Sequence, residues 1–110
     1  MTDISFYITD EEKYFGFEAE GHAGFAGFGK DIVCAAVSVL TTTFINSVDE
    51  LSNSEISVEA DEKTGYMDVR VADYDNEDVQ LLFKSLHLGL KEIEMQYSKY
   101  VKLTNRRCKP

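Results

Sequence analysis

Apolar and polar residues alternate with a period of two at both ends of the first twenty positions. Ile4, Phe6 and Ile8 interleave with Ser5, Tyr7 and Thr9, and Phe15, Phe17 and Ala19 interleave with Gly16, Glu18 and Glu20. This is the pattern of half-buried strands, and the intervening "TDEEK" predicts a hairpin. From Ile32 the period lengthens. Val33, Ala36, Val37, Leu40, Phe44, Val48 and Leu51 fall on one helical stripe. The helix is rich in β-branched residues, so its stability must come from burial rather than propensity.

The pattern then repeats in kind. Ile56 and Val58, the turn "DEKTG", and Met67, Val69 and Val71 predict a second hairpin, and Val79, Leu82, Phe83, Leu86, Leu90, Ile93 and Tyr97 a second helical stripe capped by Asn76 or Asp75. A short final strand is expected around Tyr100 to Leu103. The order predicts an α+β fold: a mainly antiparallel sheet built from two hairpins, each followed by a long helix, with a short C-terminal strand. The 110 residues suit a single domain spanning 1–110, and the one proline, Pro110, marks no internal linker.

Charge narrows the partners. Eleven Lys and Arg against twenty Asp and Glu give a net charge of −9, which repels phosphate backbones and anionic membranes and favours a basic partner. "NRRCKP" at Asn105 to Pro110 reads as a basic tail too short for nucleic-acid binding. The N-terminus shows no basic start followed by a long apolar segment. The longest uninterrupted apolar run, Ile32 to Val37, is far below the roughly 18 residues of a membrane helix. A cytoplasmic location is therefore expected, where Cys34 and Cys108 stay free thiols.

The unusual chemistry lies in "EGHAGFAGFGKDIVCAAVSVL", Glu20 to Leu40. "GFAGFGKD" matches a phosphate-binding loop until its last position. There Asp31 stands where Ser or Thr must hold magnesium, and its charge would face the phosphates. A metal site needs three or four placed ligands, whereas His22, His87, Cys34 and Cys108 show no C-x-x-C or H-x-x-x-H spacing. His87 reads as a helix-surface or packing residue and Cys108 as an exposed thiol.

A nucleophile and its base use the same residues better. With Asp31 as N-cap, Cys34 falls in the first turn of the helix, where unpaired amides stabilise a thiolate and later an oxyanion. His22 supplies the base if the glycine loop folds back. By residue type and spacing alone, a free cysteine amid Ile32, Val33, Ala35 and Ala36 is more often inert core than nucleophile, and a histidine after a strand is often a polar edge residue.

At the level of motif the stretch "GHAGFAGFGKDIVCAAVS", Gly21 to Ser38, resembles the signature of the ribosomal-processing cysteine proteases, the Prp family, and a weaker likeness covers nearly the whole chain. The resemblance implies a cytoplasmic, homodimeric endopeptidase without cofactor or metal. Its implied substrate is the short N-terminal extension of large-subunit ribosomal protein twenty-seven, cut after an aromatic residue. By the same resemblance His22 and Cys34 are catalytic, and Gly21, Asp31 and Ser38 support the site. Asp31 either orients His22 or caps the helix, and Ser38 either borders the site or bonds back to the carbonyl of Cys34. Within the glycine loop, Gly24, Phe25, Gly27, Phe28 and Gly29 are expected to touch substrate, with packing of the two phenylalanines on the core as the alternative. A non-enzymatic, ribosome-associated adaptor that grips the same peptide is the rival function.

Overall fold

The structure is a computed structural model that describes residues 2–21 and 28–110, with the side chains of residues 28–31 outside that description. Two hairpins form as the alternation predicts: β1 (Thr2–Ile8) with β2 (Tyr14–Glu20), and β3 (Ile56–Asp61) with β4 (Tyr66–Val71). Helices α1 (Phe28–Ser47) and α2 (Glu77–Gln96) follow them, and β5 (Val101–Arg107) ends the chain. The five strands stand in the order β3-β4-β2-β1-β5, antiparallel except where β5 runs parallel to β1.

Both helices bury their stripes against one sheet face. Val33, Val37, Phe44 and Val48 from the first helical segment and Val79, Phe83, Leu86 and Leu90 from α2 join Ile4, Phe6, Phe17 and Val69 in one core. Phe44 and Phe83 meet at 4.6 Å between ring centres, which ties the helices to each other over the sheet. Asn76 is the cap of α2: its side-chain oxygen accepts from the amides of Asp78 and Val79, satisfying two otherwise unpaired donors.

Five expectations are corrected. First, α1 begins one turn earlier than Ile32, because Val33 is the first core residue and nothing apolar and periodic announces the turn before it. Asp31 is consequently inside the helix rather than its N-cap. Second, Leu51 leaves the stripe and is 72% exposed: α1 runs into a π-helical turn, Val48–Ser52, whose wider winding rotates later residues off the core face.

Third, β2 carries a bulge. Tyr7 faces Gly16 but Ile8 faces Tyr14, so Phe15 is the extra residue. It stacks on Tyr7 at 5.6 Å on the helix-free face, while Tyr14 takes the inward place beside Phe6 and Phe83. Fourth, the basic tail is strand as far as Arg107. Arg106 reaches Glu18, and Arg107 reaches Glu12 and donates to the Thr9 carbonyl. Fifth, Ile32–Ser52 is long and apolar enough, by length and composition, to cross a membrane. Counting uninterrupted apolar residues misses it because uncharged Ser38 and Thr41 to Thr43 break the run.

Candidate functional site

The sheet brings distant residues to one end. Across it, Met67 of β4 faces Ala19 of β2, which in turn faces Ile4 of β1. Ala19 is buried and Met67 is half-buried, so this row supplies an apolar floor under α1, whose own buried Val37 lines the same end. Beyond the row β2 ends, and Gly21 follows with φ at 113°, a left-handed conformation that side chains disfavour. The chain therefore needs glycine at the point where it leaves the sheet.

A cavity of about 220 Å³ opens at this end, and Gly21, Cys34 and Ser38 all line it. Cys34 is a free, half-buried thiol. Ser38 lies one turn further along the same face of α1, as the spacing predicts, and borders the cavity beside it. Thr41 lines the next turn. Its hydroxyl donates back to the carbonyls of Val37 and Ser38, at 3.0 and 3.2 Å, so its polar atom is satisfied within the helix.

Cys34 is the seventh residue of α1 and not in its first turn. Only the first four amides of a helix lack intrahelical partners, and the field of the helix end fades within that turn. The expected help from the helix start is thereby removed from this thiol. Asp31, Phe28 and Gly29 occupy the first turn of α1. His22, Gly24, Phe25 and Gly27 lie outside the described residues.

Further lining residues were not found from sequence. The tip of the second hairpin supplies Glu62 and Gly65 to the cavity, and Thr2 of β1 reaches it from the other side. The only signal for the hairpin tip was the turn "DEKTG"; its arrival beside Cys34 depends on β4 pairing with β2, which no local pattern announces. His87, by contrast, is a packing residue. Its ring lies 5.0 Å from Phe6 and 5.8 Å from Tyr14, and burial pushes its pKa below the ordinary imidazole value. Among the described residues no three His, Cys, Asp or Glu side chains are grouped so as to hold a metal ion.

The chain is similar to proteins of known activity over nearly its whole length. The family model described as cysteine protease Prp matches residues 1–102. The ribosomal processing cysteine protease Prp of Bacillus subtilis is 30% identical over 92 residues, covering 80% of this chain and 82% of that one. The crystal structure of the Staphylococcus aureus ribosomal processing protease Prp with a substrate peptide superposes with a TM-score of 0.90 at 25% identity, over 96% of this chain and 100% of that one. A second S. aureus structure, with a covalently linked product peptide, gives 0.88 at 26% identity over the same shares.

Proposed function

The chain belongs to the Prp family of cysteine proteases, and on that premise we propose that Cys34 is the nucleophile and His22 the base of a ribosomal-protein-processing endopeptidase. The observation that carries this reading is that Gly21 and Cys34, far apart in the motif, line one cavity. Gly21, which lines that cavity, is the residue to which His22 is bonded.

His22 takes the proton from the thiol of Cys34, and the thiolate attacks the scissile carbonyl to give a tetrahedral oxyanion. Collapse expels the amine, which receives the proton from His22, and leaves an acyl-thioester on Cys34. His22 then deprotonates a water that hydrolyses the thioester and restores the thiol. A covalent route is supported by the linked product peptide in the S. aureus protein. Gly21, Asp31 and Ser38 support the centre; Gly24, Phe25 and Gly27 meet the peptide from the glycine segment, and Phe28 and Gly29, expected in that loop, do so from the first turn of α1.

The substrate is the N-terminal extension of large-subunit ribosomal protein twenty-seven, cut after an aromatic residue. Ala19, Val37 and Met67 give the cavity an apolar floor suited to one such ring. A volume of about 220 Å³ is small beside the roughly 300–1,000 Å³ of drug-sized sites, and fits a side chain better than a cofactor. Residues 1–110 act as a single protease domain, a homodimer in the cytoplasm, with no cofactor, metal, nucleic acid or membrane required. The shared core beneath both helices supports one domain.

The test is incubation with a peptide spanning that extension and identification of the products by mass spectrometry. Wild type is expected to cut once, after an aromatic residue, and Cys34→Ala and His22→Ala to leave the peptide intact. Equal cleavage by Cys34→Ala would refute the assignment, and peptide binding without cleavage by wild type would favour an adaptor.

A further inference from the structure

The cavity beside Cys34 has one charged wall. Among the described residues that line it, Glu62 is the single formally charged side chain; the others are apolar, hydroxyl-bearing, glycine or the thiol itself. It is exposed, and among the described residues no cation is paired with it. Lys63, its neighbour in the chain, is exposed and does not line the cavity.

The hairpin tip that carries Glu62 is held by its own hydrogen bonds. The Gly65 amide donates to the Asp61 carbonyl at 2.9 Å, and the Lys63 amide donates to the Asp61 side chain at 2.9 Å. Gly65 closes the turn with φ at 72°. The ladder fixes where this tip points. Asp61 and Tyr66 form the last pair of β3 and β4, and Met67 beside them pairs with Ala19 of β2 on the cavity floor. Residues 62–65 therefore project past the end of the sheet, on the side where Gly21 leaves it and Cys34 looks down from α1. A carboxylate held on a short, bonded turn keeps its position without ordering a loop when a ligand arrives.

We propose that Glu62 is a specificity-determining residue, accepting a Lys or Arg side chain of the bound peptide close to the scissile bond. The proposal rests on the reading of Cys34 as nucleophile and extends it to the sequence of the substrate. An acidic residue that has no partner among the described residues, set on the rim of a cavity whose other described lining is uncharged, favours a peptide that brings the opposite charge. The net charge of −9 attracts such a peptide at long range, whereas Glu62 discriminates at one position along it.

The experiment uses the intact protein and peptides in which each position flanking the scissile bond is, in turn, Lys or its uncharged near-isostere norleucine. For wild type, kcat/KM is expected to favour Lys at one position by about fivefold at low salt, the size of an exposed charge pair, and less as salt rises. Glu62→Gln brings the Lys-to-norleucine ratio at that position to near one, and Glu62→Lys inverts it, with the change carried by KM. Glu62→Asp retains the Lys preference. Glu62 lies in an exposed turn, so unchanged melting temperatures check that the variants fold. Identical ratios in wild type, Glu62→Gln and Glu62→Lys overturn the proposal. Cleavage surviving in Cys34→Ala would instead sink the underlying assignment of the nucleophile, whatever the ratios at Glu62.

Discussion

Gly21→Ala tests the rim of the cavity and the exit of the chain from β2 with one methyl group. Gly21 sits at φ 113°, where an alanine meets backbone strain of about 1–3 kcal/mol. If the strain is retained, the native state loses that much stability, and for a domain of this size each kcal/mol lowers Tm by about 4 °C, so a drop of roughly 4–12 °C is expected. If the chain relaxes instead, the peptide plane leading to residue 22 turns. A displacement near 1 Å between base and nucleophile costs about a hundredfold in rate. Thermal unfolding followed by circular dichroism reads the first loss, and kcat/KM on the cognate peptide reads the second. The expected variant is less stable, less active, or both. A Tm within about 1 °C of wild type together with kcat/KM within about twofold would refute the claim that this backbone conformation is required there.

Asn76→Ala removes the acceptor for the Asp78 and Val79 amides, and is expected to cost about 1 kcal/mol by urea denaturation, with cleavage retained because α2 begins far from the cavity. Gly16→Ala should be more damaging, since its Cβ would stand 2.4 Å from the Val69 carbonyl oxygen and 2.9 Å from the Tyr7 ring; a loss of about 1–3 kcal/mol or poor folding is expected. The half-buried His87 gives a pH dependence whose sign follows from its lowered pKa. The unfolded chain binds a proton near pH 6.5 that the folded chain resists, so stability falls as pH drops below about 6.5 and levels off beneath the folded pKa. Urea midpoints measured between pH 7.5 and 5 should show that decline in wild type and less of it in His87→Phe, whereas parallel curves would exclude His87 as the cause.

Strand and helix stripes were legible wherever one face is buried and the other wet, as at Ile4 and Phe6 or along Val79 to Leu90. What escaped is what local pattern does not encode. Phe15 obeys the alternation but belongs to the other face, because the bulge is set by the pairing of Ile8 with Tyr14. Arg106 and Arg107 look like a solvated tail until the parallel ladder to β1 gives them Glu18 and Glu12 as partners. The motif from Gly21 to Ser38 foretold three residues that meet at the cavity, Gly21, Cys34 and Ser38. It could not foretell Glu62, which arrives through the β4–β2 register.

The position of Cys34 changes where its activation must come from. In a first turn, up to four unpaired amides and the helix dipole act on a thiolate. At the seventh position of α1 its own amide is within the hydrogen-bonded part of the helix, and those groups are spent on the turn before it. The surroundings offered by the described cavity are mostly apolar, with Ala19, Val37 and Met67 beneath and hydroxyls of Ser38 and Thr41 beside it. Among the described residues that line the cavity, none is a cation that could hold a thiolate. A base must then take the proton of Cys34 as it attacks, which places the burden of activation on His22. Iodoacetamide alkylation of Cys34 in wild type is expected to be fast well below about pH 8, where an unassisted thiol reacts slowly. In His22→Ala alkylation at the same pH should be markedly slower. If the His22→Ala protein keeps the low-pH reactivity, activation comes from the helix or from another group, and the division of labour argued here fails.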